Sequence, residues 1–212
     1  MANRPVFAVG DRYRAAYRRD VSFEWFAGMS DAQKRRCIDS LHGAYTRLYP
    51  GVQVLEISSK SRQELGLKLS AFSLTKFVPS LGKSIPVECV YQGGKVFGQL
   101  GPYTDLYEGR PIDAKRDPRL KTSGAVTGFF YEGKNYPTWP VTAFYNWVWC
   151  NALMEHPELV EEIVRYDAFT DIVFNPAKSQ NCQAEAAAVF VSLARRGLLD
   201  KIADFGEFVR YL

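Results

Sequence analysis

A chain of 212 residues, 47% hydrophobic and 24% charged, can bury a sizeable core and has the balance of an ordinary soluble globule. Its net charge of +4 mildly favours anionic partners without marking a nucleic-acid binder. No apolar run reaches membrane-spanning length, which argues against a membrane partner.

The opening Met-Ala-Asn-Arg-Pro-Val-Phe lacks the apolar stretch of a secretory leader. Cys37, Cys89, Cys150 and Cys182 are dispersed, and the two histidines, His42 and His156, complete no ligand set. A reduced, cytoplasmic protein is therefore expected, with no metal and no cofactor.

In chain order, residues 4–27 alternate short apolar runs with Arg12, Arg14, Arg18 and Arg19, and Val21 to Phe26 reads as a strand. Ser30 followed by Gln33 forms a capping box. The helix it opens carries Cys37, Ile38, Leu41, Tyr45 and Leu48 on its apolar side and ends near Pro50-Gly51. Val52 to Ile57 alternates as a strand, and the polar Ser58-Ser59-Lys60-Ser61 reads as a turn. Leu65 to Phe72 is apolar, and Leu81 to Ser84 is a loop leading to the central stretch.

Residues 85–98, Ile-Pro-Val-Glu-Cys-Val-Tyr-Gln-Gly-Gly-Lys-Val-Phe-Gly, are expected to form a helix with Pro86 at its first position. At about 100° per residue, Glu88, Gln92 and Lys95 then share one stripe, flanked by Tyr91. Gly93 and Gly94 each cost roughly 1 kcal/mol inside a helix, so something large, a ligand or another backbone, is expected to approach there. A carboxylate, an amide and an amine beside such a gap suit a polar substrate. The competing reading is a solvated helix face ended by glycines, and spacing alone does not separate the two.

Beyond this stretch, Gly101-Pro102 turns into a short aromatic segment. Asp113 to Lys121 reads as one basic helical run, and residues 122–140 as a hairpin or ordered loop. Val141 to Met154 is an apolar aromatic helix, and Pro157 opens another to about Tyr166. Phe169 to Phe174 is a strand broken by Asn175-Pro176. Ser179 caps a helix through Arg195, and an amphipathic helix over about Leu198 to Leu212 is a lid or docking element. Helices predominate over a few short strands, so the fold class is α+β. The expected organisation is a strand–helix extension over residues 1–51, packed on a catalytic domain over residues 52–212.

The central Val-Glu-Cys-Val-Tyr-Gln-Gly-Gly-Lys resembles the Glu-x-x-x-Gln-x-x-Lys helix of the NADAR (YbiA-like) family. Five further segments extend the resemblance over about residues 52–196. They are Leu55-Glu56-Ile57-Ser58-Ser59-Lys60-Ser61, Leu69-Ser70-Ala71-Phe72, Gly101-Pro102-Tyr103-Thr104-Asp105-Leu106, Ala114-Lys115-Arg116-Asp117, and Phe169-Thr170-Asp171 through Asn181-Cys182-Gln183. The likeness is greatest to the branch associated with DarT-type toxins, which ADP-ribosylate DNA. Cys89 stands where histidine is frequent, Ala71 replaces an asparagine, and Phe174-Asn175-Pro176 replaces a Trp-Gly element. These departures separate the chain from small-molecule N-glycosidases of riboflavin metabolism, the alternative substrate class.

The resemblance implies hydrolysis of the N-glycosidic bond between ADP-ribose and guanine in DNA, probed best as single strands, with free ADP-ribose as a ligand and a DarT-type toxin as a partner. Such a bond breaks through an oxocarbenium-like state or after ring opening, and a carboxylate in a partly desolvated pocket suits the proton transfers. Glu88 is the first candidate and Asp171 the second. For Lys95 three roles stand open: charge partner of Glu88, ribose binder, or Schiff-base former. Lys115, Arg116 and Arg119, with Ser179 and Asn181 near a helix start, are the candidate pyrophosphate and ribose contacts. Tyr91 and Tyr103 are candidates to stack on a base, and Gln92 to bind substrate. A non-catalytic ADP-ribose-binding or toxin-binding module is the competing function.

Overall fold

The computed structural model describes residues 1–177 and 179–212. Its first third runs β1 (Ala2–Val9), β2 (Ala16–Phe23), α1 (Asp31–Leu48), β3 (Val54–Glu56) and α2 (Glu64–Lys68). Then follow β4 (Thr75–Val78), β5 (Lys83–Pro86), α3 (Val87–Gly93), β6 (Lys95–Val96), α4 (Pro111–Arg116), α5 (Arg119–Thr122), β7 (Gly128–Tyr131) and β8 (Lys134–Tyr136). The last third holds α6 (Ala143–Leu153), α7 (Pro157–Ile163), β9 (Ala168–Thr170), α8 (Gln183–Arg195) and α9 (Phe205–Val209). Helices outweigh short strands, the α+β architecture the sequence predicts. None of the described helices is long and apolar enough to cross a membrane.

One sheet, in the order β2-β1-β9-β3, organises the chain. The first two strands form an antiparallel hairpin from Ala2↔Phe23 to Val9↔Ala16. β9 pairs antiparallel with β1 and parallel with β3. Period-2 alternation gives each strand two faces. Val6 and Ala168 face α1, where they pack with Cys37, Ile38, Leu41 and Tyr45. Phe7, Leu55 and Phe169 face the larger core, which holds Phe144, Trp149 and Phe190 of α6 and α8. Both faces of the sheet are thus covered by helices.

Local signals place α1 well. Ser30 Oγ accepts a hydrogen bond from the Gln33 N–H at 3.3 Å, as the capping box requires. Leu48, however, points outward and is 63% exposed, because the helix has left the sheet by its last turn.

Several expected elements change when long-range pairing is seen. Residues 2–9, not predicted as a strand, form β1 because β2 and β9 supply its partners on both sides. Of the loop expected at Leu81 to Ser84, Lys83 and Ser84 instead open β5, which pairs with β4 in the register Thr75↔Pro86 to Val78↔Lys83 around a bend at residues 79–82. The basic run splits into α4 and α5 at Asp117-Pro118, since a residue before proline is driven out of the helical region. The C-terminal segment is no loose lid: Phe208 and Ile202 are fully buried, and Trp147 Nε1 donates to the Ile202 carbonyl at 2.9 Å.

The largest correction concerns residues 85–98. Pro86 caps the helix from extended backbone, α3 ends at Gly93, and Lys95 belongs to β6. Of the two neighbours expected at the glycines, ligand or backbone, it is backbone, with the Tyr107 ring, that comes close. A Cβ on Gly93 would lie 2.5 Å from Tyr107 Cε1 and 3.0 Å from the Tyr103 carbonyl oxygen, and one on Gly94 2.8 Å from the Phe130 carbonyl oxygen. Gly93→Ala should therefore cost about 1–3 kcal/mol by overpacking. Gly43→Ala, in α1 with only Arg47 Nη1 at 3.9 Å, should stabilise by about 0.5–1 kcal/mol. Denaturant melts of the two variants check the contrast, and equal stabilities would refute the crowding at Gly93.

Candidate active site

The short helix α3 is docked by its first N–H groups. Val87 donates to the Leu74 carbonyl and Glu88 to the Ala71 carbonyl, each at 2.9 Å. This fixes Glu88 in the first turn, where the helix dipole favours a carboxylate. The residue is 5% exposed, and its Oε1 accepts from Gln92 Nε2 at 2.8 Å, four residues on. Lys115 Nζ of α4 lies 3.7 Å from the same oxygen. Gln92 Oε1, also buried, has no hydrogen-bond partner among the described residues.

Lys95 reaches the same place by another route. After Gly94, β6 pairs Lys95 with Phe129, and its ammonium lies 4.7 Å from the centroid of the Tyr91 ring. Burial lowers its pKa to about 8, although Glu88 pulls it up and Lys115 adds to the fall. Lys115 is thus the ammonium in ion-pair distance of Glu88, while Lys95, still within range of that charge, sits on an aromatic face as a readily discharged amine. Tyr91 packs edge-on to Tyr145 at 5.0 Å, and its hydroxyl accepts from Asn181 Nδ2 at 2.5 Å.

Asp171 follows β9 and is held on both oxygens. Oδ1 accepts from the Val173 and Phe174 N–H groups at 3.0 and 3.1 Å, and Oδ2 from Gln183 Nε2 at 2.9 Å. Behind it lies Glu56, 2% exposed, which accepts from Ser58 Oγ at 2.7 Å, Thr170 Oγ1 at 2.5 Å and the Ile172 N–H at 2.8 Å. His42 Nε2 is 2.8 Å from the same Thr170 hydroxyl. Burial raises both carboxylates, and the charge of Glu56 pushes Asp171 further up. Glu56 was not among the candidates drawn from the sequence. Its signal was a glutamate alternating with the apolar Leu55 and Ile57.

Glu88, Tyr91, Gln92, Lys95, Lys115, Asp171, Ser179 and Asn181 all line one cavity of about 380 Å³, in the size range of small-molecule pockets. Eight candidates from four separate stretches of chain therefore converge. Ser59, Ser70, Phe72, Tyr145, Phe174 and Gln183 add to the wall.

Three candidates lie elsewhere. Arg119 is occupied by two carboxylates: it donates to Asp105 at 2.6 and 3.2 Å and to Asp117 twice at 2.9 Å. It lies 4.5 Å above the ring of Tyr103, whose hydroxyl is bound to Ser123 Oγ at 2.7 Å. Arg116 is exposed and does not line the cavity. Ser179 lines the wall but does not cap α8, which begins at Gln183 after extended Cys182; its hydroxyl donates to the Asn181 carbonyl instead. All four cysteines are free and buried, and no three His, Cys, Asp or Glu side chains among the described residues converge as metal ligands.

The network behind Asp171 carries a pH signature. Burial lowers His42 to about 4 from the ordinary 6.5. A group depressed on folding contributes stability that is present above its unfolded pKa and lost as pH falls toward the folded one. The window is thus from 6.5 down to about 4. The raised carboxylates act in the opposite sense, losing stability as pH rises. His42→Gln removes only the first contribution. The stability of wild type relative to His42→Gln should fall by about 2–3 kcal/mol between pH 7.5 and 4.5, measured by urea unfolding. A constant difference would place a charged histidine in the fold.

A search of curated proteins returns no match. The family described as DarT1-associated NADAR antitoxin matches residues 2–212, and the chain belongs to that antitoxin family.

Proposed function

We propose that this antitoxin is a hydrolase that removes ADP-ribose from guanine in DNA, reversing the modification made by a DarT-type toxin. The observation that carries the reading is Glu88: a carboxylate almost wholly buried, held by Gln92, with a lysine 3.7 Å away, and facing a cavity of about 380 Å³. A charge is withdrawn from water in this way at some cost, and such an arrangement suits a group that exchanges protons with a bound substrate.

In this reading Glu88 takes a proton from the attacking water and passes one to the departing nitrogen. Lys95, its pKa lowered to about 8 by burial, binds a ribose hydroxyl beside the bond that breaks. Asp171 and Asn181 hold ribose hydroxyls, and the vacant acceptor of Gln92 takes a donor from the substrate. Lys115 is the cavity's phosphate contact.

Incubation with guanine-ADP-ribosylated single-stranded DNA should release ADP-ribose. Glu88→Gln keeps the volume and the hydrogen bond to Gln92 but removes the titratable proton. It should lower turnover roughly 100- to 10,000-fold with little change in melting temperature. Intact hydrolysis by a folded Glu88→Gln protein would end this assignment, and ADP-ribose binding without any turnover in wild type would leave a binding module.

The charge layout separates neighbours on one short helix. Lys115→Ala should weaken free ADP-ribose binding by roughly tenfold, whereas Arg116→Ala should leave it unchanged. Isothermal titration reads both, and equal affinities for the two variants would displace Lys115 from the phosphate.

A further inference from the structure

A second cavity of about 310 Å³ adjoins the first and shares Tyr91, Lys95, Tyr145 and Asn181 with it. The Asn181–Tyr91 hydrogen bond lies in their common wall. The two linings differ in kind. The first holds Glu88, Lys115 and Asp171 besides Lys95. The second is built from Phe129, Phe144, Tyr145, Trp139, Pro140 and Val141, and Lys95 is the only charged group among its described lining residues. A charged pyrophosphate belongs in the first, and a flat uncharged ring in the second.

Trp139 sharpens the contrast. It is 74% exposed at the rim of the second cavity, where an aromatic of that size loses most of its apolar burial. Thr142, on the same rim, holds φ +73°, a left-handed conformation that a β-branched residue adopts at a cost of order 1–3 kcal/mol. The 138–142 loop thus presents an unburied indole from a strained backbone. Enzymes that act on a base within nucleic acid take it out of the helical stack, and an exposed aromatic supplies a replacement stacking partner.

We propose that the second cavity is the leaving-base subsite. The purine, still on its DNA strand, stacks on Trp139, and the bond to be cleaved lies beside Lys95, where the two cavities meet. This rests on the hydrolase reading above. In the reaction the bond from the anomeric carbon to the base nitrogen breaks. Water supplies the hydroxyl to that carbon and the proton to the nitrogen, which leaves as an amine on the strand. Free ADP-ribose then fills the first cavity alone, and the second is emptied with the repaired strand.

The test measures three affinities in a Glu88→Gln background, where substrate is not consumed, with Trp139 kept or changed by Trp139→Ala or Trp139→Phe: free ADP-ribose, an ADP-ribosylated guanine nucleoside, and an ADP-ribosylated single-stranded oligonucleotide. Trp139→Ala should weaken the nucleoside and the oligonucleotide by roughly tenfold or more while leaving free ADP-ribose unchanged, and Trp139→Phe should recover most of the loss. Because the side chain is exposed, the melting temperature should not move. Unchanged oligonucleotide affinity in Trp139→Ala would overturn the subsite. Loss on the oligonucleotide but not on the nucleoside would also overturn it, assigning Trp139 to a flanking nucleotide. Loss on free ADP-ribose would do the same by placing Trp139 in the ADP-ribose site. Failure of the hydrolase reading shows separately, as absence of ADP-ribose release by wild type.

Discussion

The parallel pairing of β3 with β9 is the constraint on which the rest of this structure depends. Its register sets Val54 against Ala168, Leu55 against Phe169 and Glu56 against Thr170, joining segments more than a hundred residues apart. Both strands end at the same edge, so the turn holding Ser59 and the turn holding Asp171 open side by side into the cavity. Sheets with parallel strands recurrently place ligands beyond the carboxyl ends of those strands. Slipping the register by one residue would bury the opposite face of each strand and turn Glu56 toward the aromatic core.

That register also brings an acidic pair into the protein, and the neighbours of the pair determine what it does. Glu56 is satisfied by two hydroxyls and one N–H, and Asp171 by two N–H groups and the Gln183 amide. Gln183 in turn donates to the Ile57 carbonyl and accepts from the Ala71 N–H, each at 2.7 Å. One amide at the start of α8 therefore ties the residue after β3, the segment between α2 and β4 and the Asp171 turn together. Since Ala71 also accepts from the Glu88 N–H, the two acidic parts of the cavity are mechanically joined through a few hydrogen bonds. Buried networks of this type are strong when every member is partnered and costly when one is lost.

What could be read from the sequence was mostly local. The Ser30 cap needs only Gln33, three residues on, and the aromatic run of α6 is apolar enough to declare itself. β1 was hidden because Asn3, Arg4 and Pro5 mask its alternation and because its second partner, β9, lies far along the chain. The site was legible as a set of residue types, and eight of the eleven candidates line one cavity. The exceptions share a cause. Whether a cation is available depends on what faces it, and Arg119 meets Asp105 and Asp117 from outside its own helix. Tyr103 lies beneath that cluster and is lost to the site with it.

Lys95 reaches the cavity from an element other than the one its spacing predicts. A continuous helix would put Lys95 on the stripe of Glu88 and Gln92, and the observed chain puts it beside them by ending the helix early. Gly94 makes that possible. Its N–H still closes on the Val90 carbonyl at 3.0 Å, while its own carbonyl already accepts from Phe130 of the neighbouring strand at 2.7 Å. A side chain there would press on the Phe130 carbonyl, so the change from helix to strand needs glycine at this point. The reversal lays Lys95 over Tyr91, on the wall between the charged cavity and the aromatic one. From this short strand Lys95 borders both compartments, as Tyr91 does from α3. Glu88 thus stays with the charged cavity, and the amine stands where the two compartments meet.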